Sequence, residues 1–101
     1  MSEFYKLKGH TPIPVHDVIV WGEWFEKADR HVADNTVNNV RVSTVFLGLN
    51  HNYGEGDPLL FETMVFGGEN DEYMNRYSTW EEAERGHKLI LKKIKEGRKL
   101  R

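Results

Sequence analysis

Apolar and polar positions alternate most clearly over residues 40–49. Val40, Val42, Thr44 and Phe46 fall on one side there, and Arg41, Ser43, Val45, Leu47 and Leu49 on the other. A two-residue period rich in β-branched side chains is the mark of a strand. Residues 59–66 (LLFETMVF) form a second such run, and residues 50–58 between them are turn material. The pair predicts an antiparallel hairpin. Gly67 and Gly68 end the second strand, and residues 73–77 predict a shorter third one.

Elsewhere the period is that of a helix. Asp17 is placed to cap a helix running to about residue 32. Its core-facing stripe is Val18, Trp21, Phe25, Ala28 and Val32, with Glu23, Glu26, Lys27 and Arg30 opposite. Ile19 and Val20 lie off the stripe, which predicts that part of the back of this helix is also covered. Residues 33–39 (ADNTVNN) read as a turn. A last helix opens at Ser78-Thr79-Trp80-Glu81-Glu82, where Ser78 with Glu81 or Thr79 with Glu82 makes a capping box. Its stripe is Trp80, Ala83, His87, Ile90, Leu91 and Ile94, and Gly97 is its stop. Ahead of the first helix, residues 4–8 predict a strand stopped by Gly9, and Pro12 and Pro14 keep residues 11–15 extended.

The resulting order, β-α-β-β-β-α, predicts a single α+β domain over residues 1–101. It is a small antiparallel sheet of three to four strands with two amphipathic helices on one face. Within it, residues from about 97 to 101 read as a basic tail, either ordered or disordered. Both faces of the central hairpin carry bulky apolar residues, so the face without helices is expected to be covered by a second copy, in a homodimer or larger assembly.

Composition changes this picture in three places. The chain is 39% hydrophobic and 12% aromatic, enough for a folded core. Net charge is −2, which excludes an acidic mimic of DNA and gives no global basic field. The basic residues are nonetheless uneven: Arg85, Lys88, Lys92, Lys93, Lys95, Arg98, Lys99 and Arg101 gather at one end, with Glu96 the only acid among them. There is no Cys, which removes disulfides, thiolate nucleophiles and Cys-ligated metals. The first ten residues hold no apolar run of signal-peptide length and no segment is long enough to span a bilayer, so a cytosolic location without membrane contact is expected.

Candidate chemistry concentrates at the hairpin turn. His51, Asn52 and Tyr53 could offer donors, acceptors and a stacking face to a polar ligand, or they could simply be a connection. Glu62 interrupts an apolar strand, with Arg41 or Arg76 as its counter-charge, either as a functional carboxylate or as a cross-strand ion pair. Asn50, Asn52, Glu55 and Asp57 supply oxygens, but their spacing is not that of a calcium loop. The histidines are dispersed, without zinc-site spacing. His87, on an apolar stripe, reads as a hydrogen-bonded core residue. No nucleophile elbow or phosphate loop is present, and no cofactor or metal is expected.

The segments RVSTVFLGLNHN (41–52) and LLFETMVFGG (59–68), with Trp24-Phe25, Ala28-Asp29-Arg30 and Tyr77-Ser78-Thr79-Trp80-Glu81-Glu82-Ala83, resemble a family of small bacteriophage and prophage proteins. The resemblance implies a setting, the cytoplasm of an infected host. It also implies the style of action common among small accessory phage proteins, binding to a host protein or sequestering a nucleotide signal. The expectation is therefore a non-enzymatic binding protein that interferes with a host process, antiviral defence among them. The alternative is a small hydrolase with His51 and Glu62 as an acid–base pair. A nucleic-acid binder using the basic end ranks last, because no aromatic residue follows Trp80 to stack on bases.

Overall fold

The computed structural model describes residues 3–101. Strand β1 (Phe4–Lys8) turns at Gly9 and His10 into β2 (Thr11–Val15). The two form an antiparallel pair in which Tyr5 faces Pro14 and Leu7 faces Pro12. The prolines are two apart, so both missing N–H groups fall on the same edge of this small sheet. Helix α1 (Val18–Lys27) follows, with the Asp17 carboxylate accepting from the N–H groups of Ile19 and Val20. Four strands come next: β3 (His31–Val37), β4 (Val40–Phe46), β5 (Phe61–Phe66) and β6 (Met74–Tyr77). They lie side by side in chain order as an antiparallel meander. Helix α2 (Trp80–Lys95) closes the fold.

The fold class is as expected, α+β with helices packed against an antiparallel sheet, but the count of elements is corrected in its first half. The chain reads β-β-α-β-β-β-β-α, in two sheets. Helix α1 stops at Lys27 because Ala28 is already extended (φ −76°, ψ 142°) and Asp29 takes the N–H of His31 in a local turn. Residues 33–37, expected as part of a turn, belong to edge strand β3. The turn itself is only Asn38 and Asn39, both at positive φ (52° and 64°), the geometry a two-residue hairpin requires and Asn tolerates.

The β4–β5 register pairs Val42 with Val65, Thr44 with Thr63 and Phe46 with Phe61. All six are fully buried, facing the α2 stripe of Ala83, His87, Ile90 and Ile94. Burying the Val and Phe side chains among them is worth about 1.5–3 kcal/mol each. Two apolar clusters result. One joins Phe46, Phe61, Tyr77 and Ala83 to Tyr5 of the small hairpin, with Trp24 of α1 against it. The other joins Val42, Val65, Ile90 and Ile94. The capping box at α2 is the Thr79–Glu82 one: the Thr79 hydroxyl accepts from the Glu82 N–H and donates to its carboxylate.

Gly97 does stop α2. At φ +71° it lets its own N–H reach the Ile94 carbonyl and that of Arg98 reach Lys93, the paired bonds of a Schellman end. The basic end then folds back. Asn70, 9% exposed, accepts from the Leu100 N–H and donates to the Arg98 carbonyl. Leu100 packs on the second apolar cluster.

Candidate functional site

The turn over residues 50–58 is held together by its own amides. Asn50 Oδ1 accepts from the N–H groups of Asn52 (2.8 Å) and Leu59 (3.1 Å). Asn52 donates from Nδ2 to the carbonyls of Glu55 (3.1 Å) and Asp57 (2.9 Å), and its Oδ1 accepts from Gly54 (3.0 Å). The Asn52 side chain is thus engaged within the loop and has little left for a ligand. Tyr53 is different: it is 88% exposed, with its ring centroid 6.4 Å from that of His51. His51 is half-buried and anchored by its backbone N–H on the Leu59 carbonyl. The turn is braced from within and displays one exposed aromatic ring.

Glu62, Arg41 and Arg76 occupy the sheet face turned away from α2. Strand register puts Arg76 opposite Glu62, and Arg76 Nε donates to Glu62 Oε2 at 3.0 Å. Arg41 does not join them. Its partner on β5 is Phe66, and its guanidinium makes two bonds, of 3.1 and 2.7 Å, to the Asp34 carboxylate on β3. That fork holds the Asp34 carboxyl below the ordinary carboxylate range and raises the Arg41 guanidinium. Glu62 and His51, the expected acid–base pair, share no hydrogen bond or ion pair among the described residues. The functional candidates therefore separate into a turn, one cross-strand pair and one edge pair.

The same outer face carries Val45, Met64, Phe66 and Met74 in alternation with these charges. Phe66 and Met74 are 42% and 41% exposed, and the Arg41 guanidinium lies over the Phe66 ring at 5.5 Å. Apolar and Met-rich at the centre, with arginine pairs at the sides, this is the make-up of an interface core with a polar rim.

A second apolar surface lies at the start of α1. Val18, Ile19 and Val20 are 53%, 69% and 50% exposed, and none of the ten residues of α1 is buried. The expectation that the back of this helix is covered is not met within the chain. Trp21 and Phe25 pack instead against each other and the first hairpin, with Trp21 Nε1 donating to the Tyr5 carbonyl at 2.9 Å. Trp24 makes the edge-on contact with Phe46.

A third feature, of which the sequence marked only His87, is a buried polar chain under α2. Thr63 and Thr44 hydroxyls meet across the β5–β4 pair, Thr44 Oγ1 lies 2.7 Å from His87 Nδ1, and His87 Nε2 lies 2.8 Å from Asn35 Oδ1. An amide oxygen only accepts, so Nε2 carries the imidazole proton, Nδ1 accepts from Thr44, and Thr44 accepts from Thr63. Burial pushes the His87 imidazole below its ordinary value, with Asp34 pulling weakly back. His87 is the hydrogen-bonded core residue its helical position implies. Hydroxyl, imidazole and amide in this order resemble a nucleophile relay, but Thr44 is 0% exposed and no substrate reaches it. Nearby, burial also pushes the Tyr77 phenol up, and its hydroxyl lacks a hydrogen bond of good geometry.

Among the described residues no three His, Asp or Glu side chains gather as metal ligands, and no helix is long and apolar enough to cross a membrane. Compared with protein-family models, curated proteins and solved structures, the chain matches none.

Proposed function

We propose that this chain is a phage-type binding protein without chemistry of its own. It works in the host cytoplasm and interferes with a host process, antiviral defence being the natural one, by occupying a host protein. The observation that carries this reading is the run Val18, Ile19 and Val20, each at least half exposed on a helix with no buried residue. Consecutive exposed aliphatic side chains have no use in an isolated domain and fit an apolar partner surface. A small nucleotide signal is the other ligand class the family resemblance brings, and Tyr53 is the side chain that would stack on its base.

A second copy of the chain covers the outer sheet face. Its four charges, Asp34, Arg41, Glu62 and Arg76, are already matched in two ion pairs. The face is therefore neutral and can meet its own image in a two-fold dimer without like-charge repulsion.

The test is affinity purification of the tagged protein from host cells, alongside Ile19→Asp/Val20→Asp and Leu89→Ser variants. One host protein at fixed stoichiometry with the wild type and Leu89→Ser, lost with the α1 variant, is the expected result. A partner retained by all three would remove α1 from the reading. Turnover of excess nucleotide by the purified protein would replace binding with catalysis.

A further inference from the structure

Helix α2 carries a basic ridge that the fold leaves unused. Arg85, Lys88, Lys92 and Lys95 are spaced by three, four and three residues, which lines them up along one side of a helix. That side is opposite the buried stripe of Ala83, His87, Ile90 and Ile94. All four are exposed, and among the described residues none takes part in an ion pair or side-chain hydrogen bond, although Glu81, Glu84 and Glu96 are within helical reach. Cations at the end of a helix suit its macrodipole. That explains Lys92 and Lys95, which lie in the last turn, but not Arg85 and Lys88, which lie in the middle.

We infer that this ridge is a docking surface for the phosphate backbone of duplex nucleic acid. This goes beyond the protein-binding reading and does not depend on it. The ten helical steps from Arg85 to Lys95 extend about 15 Å, and one strand of a duplex presents a phosphate about every 3.4 Å along its axis. The ridge therefore spans about four phosphates. Its geometry selects among polyanions. The apolar face of α2 is spent on the sheet and Leu89 is the only exposed large apolar side chain on this helix, so α2 has no face to insert into a lipid surface. After Trp80 the helix has no aromatic ring to stack on unpaired bases, so a single strand would gain nothing over a duplex. The ridge is made of three lysines and one arginine, side chains that contact phosphates, so contact to the backbone and independent of sequence is expected. Fifteen of the sixteen acidic residues lie outside the segment from Arg85 onward. From Arg85 onward eight basic residues stand against one acid, which favours the approach of a polyanion to this end of α2.

The experiment is fluorescence anisotropy of the full chain with labelled 20-base-pair duplexes of two unrelated sequences, over a series of salt concentrations. Similar affinity for both sequences is expected, with log K falling against log salt at a slope of about −3.6 for four contacts. Lys88→Gln/Lys92→Gln keeps a good helix former at both positions, and its slope is expected to be shallower by about 1.8. Circular dichroism of that variant checks that α2 is intact. No binding at low salt, or a slope the variant leaves unchanged, would overturn the proposal. Binding to phosphatidylserine vesicles in preference to duplex would overturn it in favour of a lipid surface, and equal binding to polyglutamate would overturn it in favour of an acidic protein.

Discussion

The hydroxyls of Thr44 and Thr63 lie 2.5 Å apart at directly opposed positions in the middle of the sheet, and both residues are fully buried. Two hydroxyls so placed need a third group to continue the chain of donors. His87, reaching down from α2, is that group, and Asn35 on the edge strand ends the chain.

Stability should therefore depend on pH through His87. Its folded-state value is depressed from 6.5, so as pH falls below about 6.5 the unfolded chain takes up a proton that the folded chain refuses. Stability present above that pH is lost as pH falls toward the folded value, and levels off beneath it. Urea unfolding between pH 7.5 and 5.5 should show wild type losing stability more steeply than His87→Gln, by at most about 1.4 kcal/mol per pH unit. Parallel pH profiles would mean that His87 accepts its proton in place.

Gly86 is where Tyr77 is seated. A Cβ built there would collide with the Tyr77 hydroxyl and ring, so Gly86→Ala should destabilise by about 1–3 kcal/mol despite the better helix propensity of Ala. In a Tyr77→Leu background the same change should cost much less, because the obstacle is gone. Additive costs in that double-mutant cycle would place the strain elsewhere.

Asn52 and Tyr53 separate the two meanings of the turn. Asn52→Ala removes three loop bonds and should cost about 1–2 kcal/mol, with faster amide exchange at Gly54. Tyr53→Ala, on an exposed ring, should leave the unfolding midpoint within error. If Asn52→Ala left stability intact and abolished partner binding, the turn would be a recognition site after all.

Met64→Lys on the outer sheet face tests the dimer. Sedimentation should give twice the chain mass for wild type and the chain mass for the variant, since two copies would bring buried lysines together. A monomeric wild type would leave this face for another partner.

Strands β4 and β5 and helix α2 were legible because each has a clean period and a strong end signal, such as Thr79 with Glu82 or Gly97. Strand β3 was not. An edge strand needs few apolar residues, and HVADNTV spends Asn35 on a histidine 52 positions away, which no local pattern encodes. The paired Asn38 and Asn39 between two strand-like runs were a hairpin signal that was open to being read. The site residues fared similarly. Glu62 with Arg76 follows from register and was one of two alternatives. The engagement of Arg41 by Asp34 depends on a strand hidden by its own polarity.

The meander order of β3 to β6 also bears on how the chain reaches this state. Each strand pairs only with its neighbours in sequence, so every closure is short except the one spanning the 50–58 loop. Short closures cost little chain entropy before contacts form. The sheet can form strand by strand, whereas the chain of Thr63, Thr44 and His87 is complete only when β4, β5 and α2 are all in place.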